Sequence, residues 1–98
     1  MMYVMYGEIE LYAPETHSLK DKRMIIRSIK DTLKSRFDVI AREKEHQDKW
    51  RHSVIAVVAM SDSRDFLYTL WDKIVGFVEA GYDVTISGDA VSVIQGEL

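Results

Sequence analysis

An α+β sandwich, one antiparallel sheet with two helices on one of its faces, is the fold predicted by the order of periodic segments in this 98-residue chain. Three observations carry the prediction. Apolar and polar residues alternate from Tyr3 to Tyr12. Two segments, Ser18 to Phe37 and Ser61 to Gly81, repeat their apolar residues at helical spacing, and between them lie two strand-like runs joined by a short polar connection. The order strand, helix, strand, strand, helix, strand closes under right-handed crossovers into the ferredoxin-like βαββαβ two-layer arrangement. Residues 1–98 read as a single domain, since the chain has no Pro/Gly/Ser linker, repeat or low-complexity tract. A chain of this length buries roughly 65% of its unfolded surface, so neither a disulfide nor a structural metal is required.

In the first strand Tyr3, Met5, Gly7, Ile9 and Leu11 form the inward set, opposite Val4, Tyr6, Glu8, Glu10 and Tyr12, and Pro14 closes the strand. Ser18 and Asp21 make an S-x-x-D cap for the first helix, whose inward face is Ile25, Ile26, Ile29, Leu33 and Phe37. Lys22 and Arg36 fall near that face, and each is expected to run its stem along the core edge and lift its charge to water. Val39 to His46 reads as a second strand that becomes polar toward its end, and Gln47-Asp48-Lys49 as a hairpin connection. Trp50 to Met60 is apolar on both faces, as a central strand should be. Ser61, Asp62 or Ser63 can cap the second helix, with Phe66, Leu67, Leu70, Trp71, Ile74, Val75 and Val78 inward and Gly81 as its stop. Val84 and Ile86 begin the last strand. Gly88-Asp89 is compatible with a bulge in one long strand or with a turn into an extra C-terminal strand at Val91 to Ile94.

The formal net charge of −3 conceals a split. Residues 1–60 hold eleven basic and nine acidic side chains, whereas 61–98 hold two against seven. Seven of the bases lie between Ser18 and Arg36, and five of them, Lys20, Arg23, Arg27, Lys30 and Lys34, share one helical register. Such a stripe suits phosphate-backbone contact, with Arg42 or Lys44 as extensions, or else it is a solvated face. Lys20, Lys22 and Arg23 also oppose the dipole of the helix start, which a bound anion would compensate, although Ser18 and Asp21 compete for the same N–H groups.

Other constellations have plainer readings. Glu43 and Glu45, placed on one face by strand alternation, are conceivable as a general acid or base but read better as partners of neighbouring cations. His46 and His52 lack a metal-ligand spacing, and His17 reads as a turn residue. No nucleophile elbow, phosphate loop or dinucleotide fingerprint occurs, so no catalytic residue, metal or cofactor is expected and the chain reads as non-enzymatic. The absence of Cys agrees with a reducing cytoplasm, and Met1 to Tyr12 shows neither a signal peptide nor a membrane span. Tyr6 and Tyr12, with Trp50, Val54, Ala56 and Val58, are expected on the open side of the sheet. Glu8 and Glu10 would share that surface and repel phosphates, which favours a homodimer interface over base stacking there.

Ser18-Leu19-Lys20-Asp21-Lys22-Arg23, then Ile29-Lys30-Asp31, then Gln47-Asp48 with Trp50 two places on, resembles the YlxP-like family of small bacterial proteins, domain of unknown function 503. The resemblance implies a ferredoxin-like fold, a cytoplasmic protein and a gene often found among those for transcription, translation initiation and ribosome maturation. The family has no established activity, so Ser18, Lys22, Gln47, Asp48 and Trp50 carry over as motif residues of unassigned role. From residues and resemblance together the expected function is accessory contact with RNA or a ribosomal precursor through Lys20, Arg23, Arg27, Lys30 and Lys34. DNA sequence readout and membrane binding are not expected. The alternatives are a dimeric interaction module and a sensor or enzyme for a phosphorylated ligand at the first helix start.

Overall fold

A computed structural model describes residues 1–45, 49 and 51–97. The elements are β1 (Tyr3–Tyr12), α1 (Leu19–Phe37), β2 (Ile40–Glu45), β3 (His52–Ser61), α2 (Arg64–Gly81) and β4 (Thr85–Gln95). The strands form one antiparallel sheet in the order β2-β3-β1-β4, with both helices packed on one face, so the expected ferredoxin-like topology is present.

The inward set of β1 is the expected one, with Met5, Gly7, Ile9 and Leu11 all buried. They meet Ile26, Ile29 and Leu33 of α1, Ile55 and Val57 of β3, and Leu67, Trp71, Ile74 and Val78 of α2. Ser18 caps α1 as predicted: its Oγ accepts the Asp21 N–H at 3.1 Å, and Asp21 Oδ2 accepts the His17 N–H at 3.2 Å. α1 ends at Asp38, whose left-handed φ of 55° lets its N–H reach the Lys34 carbonyl; aspartate tolerates this conformation better than most side chains. Ser63, of the three candidates, caps α2 by accepting the Phe66 N–H.

Several expectations change. Gly81 is the last residue of α2 but has no positive φ, so the stop comes from the extended backbone of Tyr82. Phe66 is 54% exposed, because it sits about 100° around the helix from Leu67, off the stripe made by Leu67, Leu70, Trp71, Ile74 and Val78. At the C-terminus, β4 runs on through Val91 to Ile94 as a single strand. Glu10 pairs with Gly88 and Leu11 with Ile86, leaving Ser87 as the extra residue of a bulge, so Gly88-Asp89 is not a turn. The Ser87 hydroxyl fastens the bulge by donating to Glu10 Oε1 at 2.9 Å. Of the expected hairpin between the second and third strands, His46, Gln47, Asp48 and Trp50 lie outside the described residues.

Candidate functional site

The stripe on α1 is built by helical periodicity alone. Ile26, Ile29 and Leu33 bury one side of the helix, which turns Lys20, Arg23, Arg27, Lys30 and Lys34 away from the core. Lys20, Arg23 and Arg27 are exposed, while Lys30 and Lys34 are half-buried. The row extends about 21 Å, fourteen residues at about 1.5 Å each. Among the described residues none of the five side chains takes part in an ion pair or hydrogen bond. Lys20, Arg23, Met24, Arg27, Ser28 and Asp31 line an open depression of ≈ 510 Å³, in which Met24 is 63% exposed. The helix start is less inviting to an anion: Ser18 Oγ already takes the Asp21 N–H, and the Asp21 carboxylate, held by the His17 N–H, places a negative charge beside it.

Arg42 and Lys44 do not extend the stripe. In β2 the buried residue is Ala41, so Arg42 faces the opposite side of the sheet from α1, and Lys44 Nζ sits 2.9 Å from Glu8 Oε2 on that same open face. The Tyr6 hydroxyl also donates to Glu8 Oε2, at 2.8 Å. The hydrogen bond from Lys44 first, and that from Tyr6 second, hold the Glu8 carboxyl below its ordinary pKa of 4.5. A depressed carboxylate pKa means that the contribution to stability is complete above about pH 4.5 and is lost as pH falls through the lowered value. A carboxyl-carbon NMR titration should therefore place the Glu8 midpoint below 4.5, and Lys44→Ala should move it upward. An unchanged midpoint in that variant would remove Lys44 as the cause.

The open face carries Tyr6, Tyr12, Val54, Ala56 and Val58 as expected, while Trp50 is outside the described residues. Its chemistry is divided along the strands. Val4, Ile40, Val58, Met60 and Ile94 gather with Tyr6 at one end, and Glu8, Glu10, Arg42 and Lys44 lie toward the other. Tyr12 packs on His52 with ring centroids 5.1 Å apart.

The largest departure from expectation is Lys22. Far from lifting its charge to water, it is 1% exposed, and its Nζ lies 2.8 Å from Glu43 Oε2. Ser53, itself buried, donates to the same oxygen at 2.7 Å. Lys22 shares the buried side of α1 with Ile26 and Ile29, so its ammonium is sealed under the strands and β2 supplies the counter-charge. Nearby, Arg51 Nε donates to the Thr16 carbonyl and the Ala13 N–H to the Arg51 carbonyl, which ties the end of β1 to the start of β3. Glu43 thus has the cationic partner expected of it. Past Glu43 the backbone register of β2 against β3 shifts before Glu45, so the strand's period of two is interrupted there. Arg36, by contrast, behaves as foreseen, with its guanidinium 4.9 Å over the Phe77 ring at the core edge. Ser53 and Thr16 had no sequence signal beyond being polar residues next to apolar runs.

With the helix motif seen to be partly structural, the comparison with known proteins becomes specific. The family model described as "Protein of unknown function (DUF503)" matches residues 4–88. The chain belongs to the DUF503 family. Consistent with this, it is 25% identical over 75 residues to the uncharacterized protein YlxP of Bacillus subtilis (strain 168), covering 76% of this chain and 82% of that one. Among solved structures the de novo designed protein Foldit4 superposes with a TM-score of 0.59 at 12% identity, covering 99% of this chain and 100% of the design. A designed sequence adopting the same arrangement shows the fold alone, so function in this DUF503 chain has to be sought in its surface. No helix among the described residues is long and apolar enough to cross a membrane.

Proposed function

We propose that the chain is a non-enzymatic accessory protein of the cytoplasm that contacts RNA, free or within a ribosomal precursor, through the α1 stripe. The observation that supports this is the row of five cations without partners among the described residues, in a protein of net charge −3. A solvated face would satisfy the same spacing, but acidic partners would cost nothing there, and among the described residues Asp31 is the single carboxylate lining the depression. The stripe has no aromatic side chain, so it suits phosphates rather than unstacked bases. The open sheet face is a poorer RNA surface because Glu8 and Glu10 of the inner strand β1 lie on it. The phosphorylated-ligand reading is disfavoured by the occupied helix cap.

The test is a titration with a structured RNA between 50 and 200 mM salt. Five phosphate contacts give a log–log slope near −4.5, a loss of about 500-fold in affinity over that range. Changing Arg23, Arg27 and Lys30 together to Ala should reduce the slope by about 2.7. Binding that is flat with salt, or indifferent to the triple change, would refute the proposal.

A further inference from the structure

The two edges of the sheet are not alike. β2 is short, four of its six residues are charged (Arg42, Glu43, Lys44 and Glu45), and a bulge interrupts it, which are the devices that keep an edge from pairing with a foreign strand. β4 has eleven residues and one charge, Asp89, whose Oδ2 accepts the Trp71 Nε1–H at 3.1 Å and is thereby directed toward the helices. Its bulge lies at Ser87, so the six residues from Ala90 to Gln95 run regularly, with no charge and no proline. No strand covers the outer side of β4 among the described residues.

We propose that β4 is a dimerisation edge, pairing antiparallel with β4 of a second copy about a two-fold axis through Ser92. A second copy is favoured as occupant because an antiparallel pair of identical strands is two-fold by construction, and this strand fits itself. With the axis at Ser92, Ala90 faces the partner's Ile94, and Ile94 faces the partner's Ala90, which sets a 63% exposed side chain against a small one on the open face. On the helix side Val91 meets the partner's Val93, a β-branched pair suited to a sheet. Moving the axis to Val91 sets Asp89 against the partner's Val93, and moving it to Val93 sets Val91 against the partner's Gln95. The axis is perpendicular to the sheet, so both helix layers lie on the same side of the extended sheet.

The chain has no cysteine, which makes the register directly testable. Directly opposed residues of antiparallel strands have Cα atoms about 4.5–5.5 Å apart, within disulfide range. Ser92→Cys should therefore cross-link to a dimer under mild oxidation. Ala90→Cys should not, because the two Ala90 positions are offset by four residues, about 14 Å along the strands. In sedimentation the unmodified protein should run at twice its 11.3 kDa mass, Ser92→Lys should run as a monomer, and Tyr6→Glu on the open face should remain dimeric. A monomer at high micromolar concentration, equal cross-linking by both cysteine variants, or a dimer broken by Tyr6→Glu and not by Ser92→Lys would each overturn the proposal. The last of these would assign the contact to the open face instead.

Discussion

Replacing Lys22 with Ala is expected to lower folding stability by about 3–5 kcal/mol, the loss typical when one partner of a buried ion pair is removed. The Lys22 side chain is 1% exposed and that of Glu43 14%, so the variant would keep the Ser53 hydroxyl at the Glu43 carboxylate but lose the ammonium 2.8 Å from it. For a domain of this size such a loss shifts Tm by about 4–8 °C per kcal/mol, and chemical denaturation with an unchanged m-value would report it directly. Changing Lys22, Glu43 and Ser53 together to Met, Leu and Ala should restore most of the stability, because an apolar set of similar volume removes the ammonium, the carboxylate and the hydroxyl together. A single-variant loss below about 1 kcal/mol would instead be the behaviour of a solvent-exposed pair. The comparison also separates fold from function at the helix start. Lys22 is two residues from Lys20 and next to Arg23, yet it belongs to the core, whereas Lys20 and Arg23 can be changed with little effect on stability.

Gly7→Val should be the second large effect. A Cβ at Gly7 would overlap the Trp71 six-membered ring, with Cε3, the third nearest atom, only 2.8 Å away. The indole cannot retreat easily, since Trp71 is 2% exposed and its Nε1 is bonded to Asp89. Overpacking of this kind costs about 1–3 kcal/mol, with the upper end expected where a rigid ring must move and a hydrogen bond is strained. Combining Gly7→Ala with Trp71→Leu should be less destabilising than the sum of the two single changes, because the second substitution makes room for the first. Strict additivity in denaturation measurements would show that Gly7 and Trp71 do not share the space.

What was legible in the chain follows from the range of the interactions involved. The caps at Ser18 and Ser63, the inward alternation of β1 and the cationic row on α1 depend on residues one to four positions apart, and local periodicity exposes them. Phe66 misled because one extra apolar residue in a first turn looks periodic until the centre of the stripe is known. The placement of Arg42 and Lys44 required the side of the sheet on which α1 lies. The register shift at Glu43 required the neighbouring strand, since a bulge is a relation between two strands and not a property of one.

The amino-acid order by itself determined the element sequence, the family and the register of Lys20, Arg23, Arg27, Lys30 and Lys34, because each is written in local spacing or in contiguous motif residues. Tertiary structure alone decided which lysine of the basic segment is buried. Lys22 is 21 positions from Glu43 and 31 from Ser53, and only the packing of α1 against β2 and β3 brings a carboxylate and a hydroxyl to an ammonium that water no longer reaches. The same packing left β4 at the rim of the sheet with its uncharged half unprotected, since an edge exists only once the strand order is set.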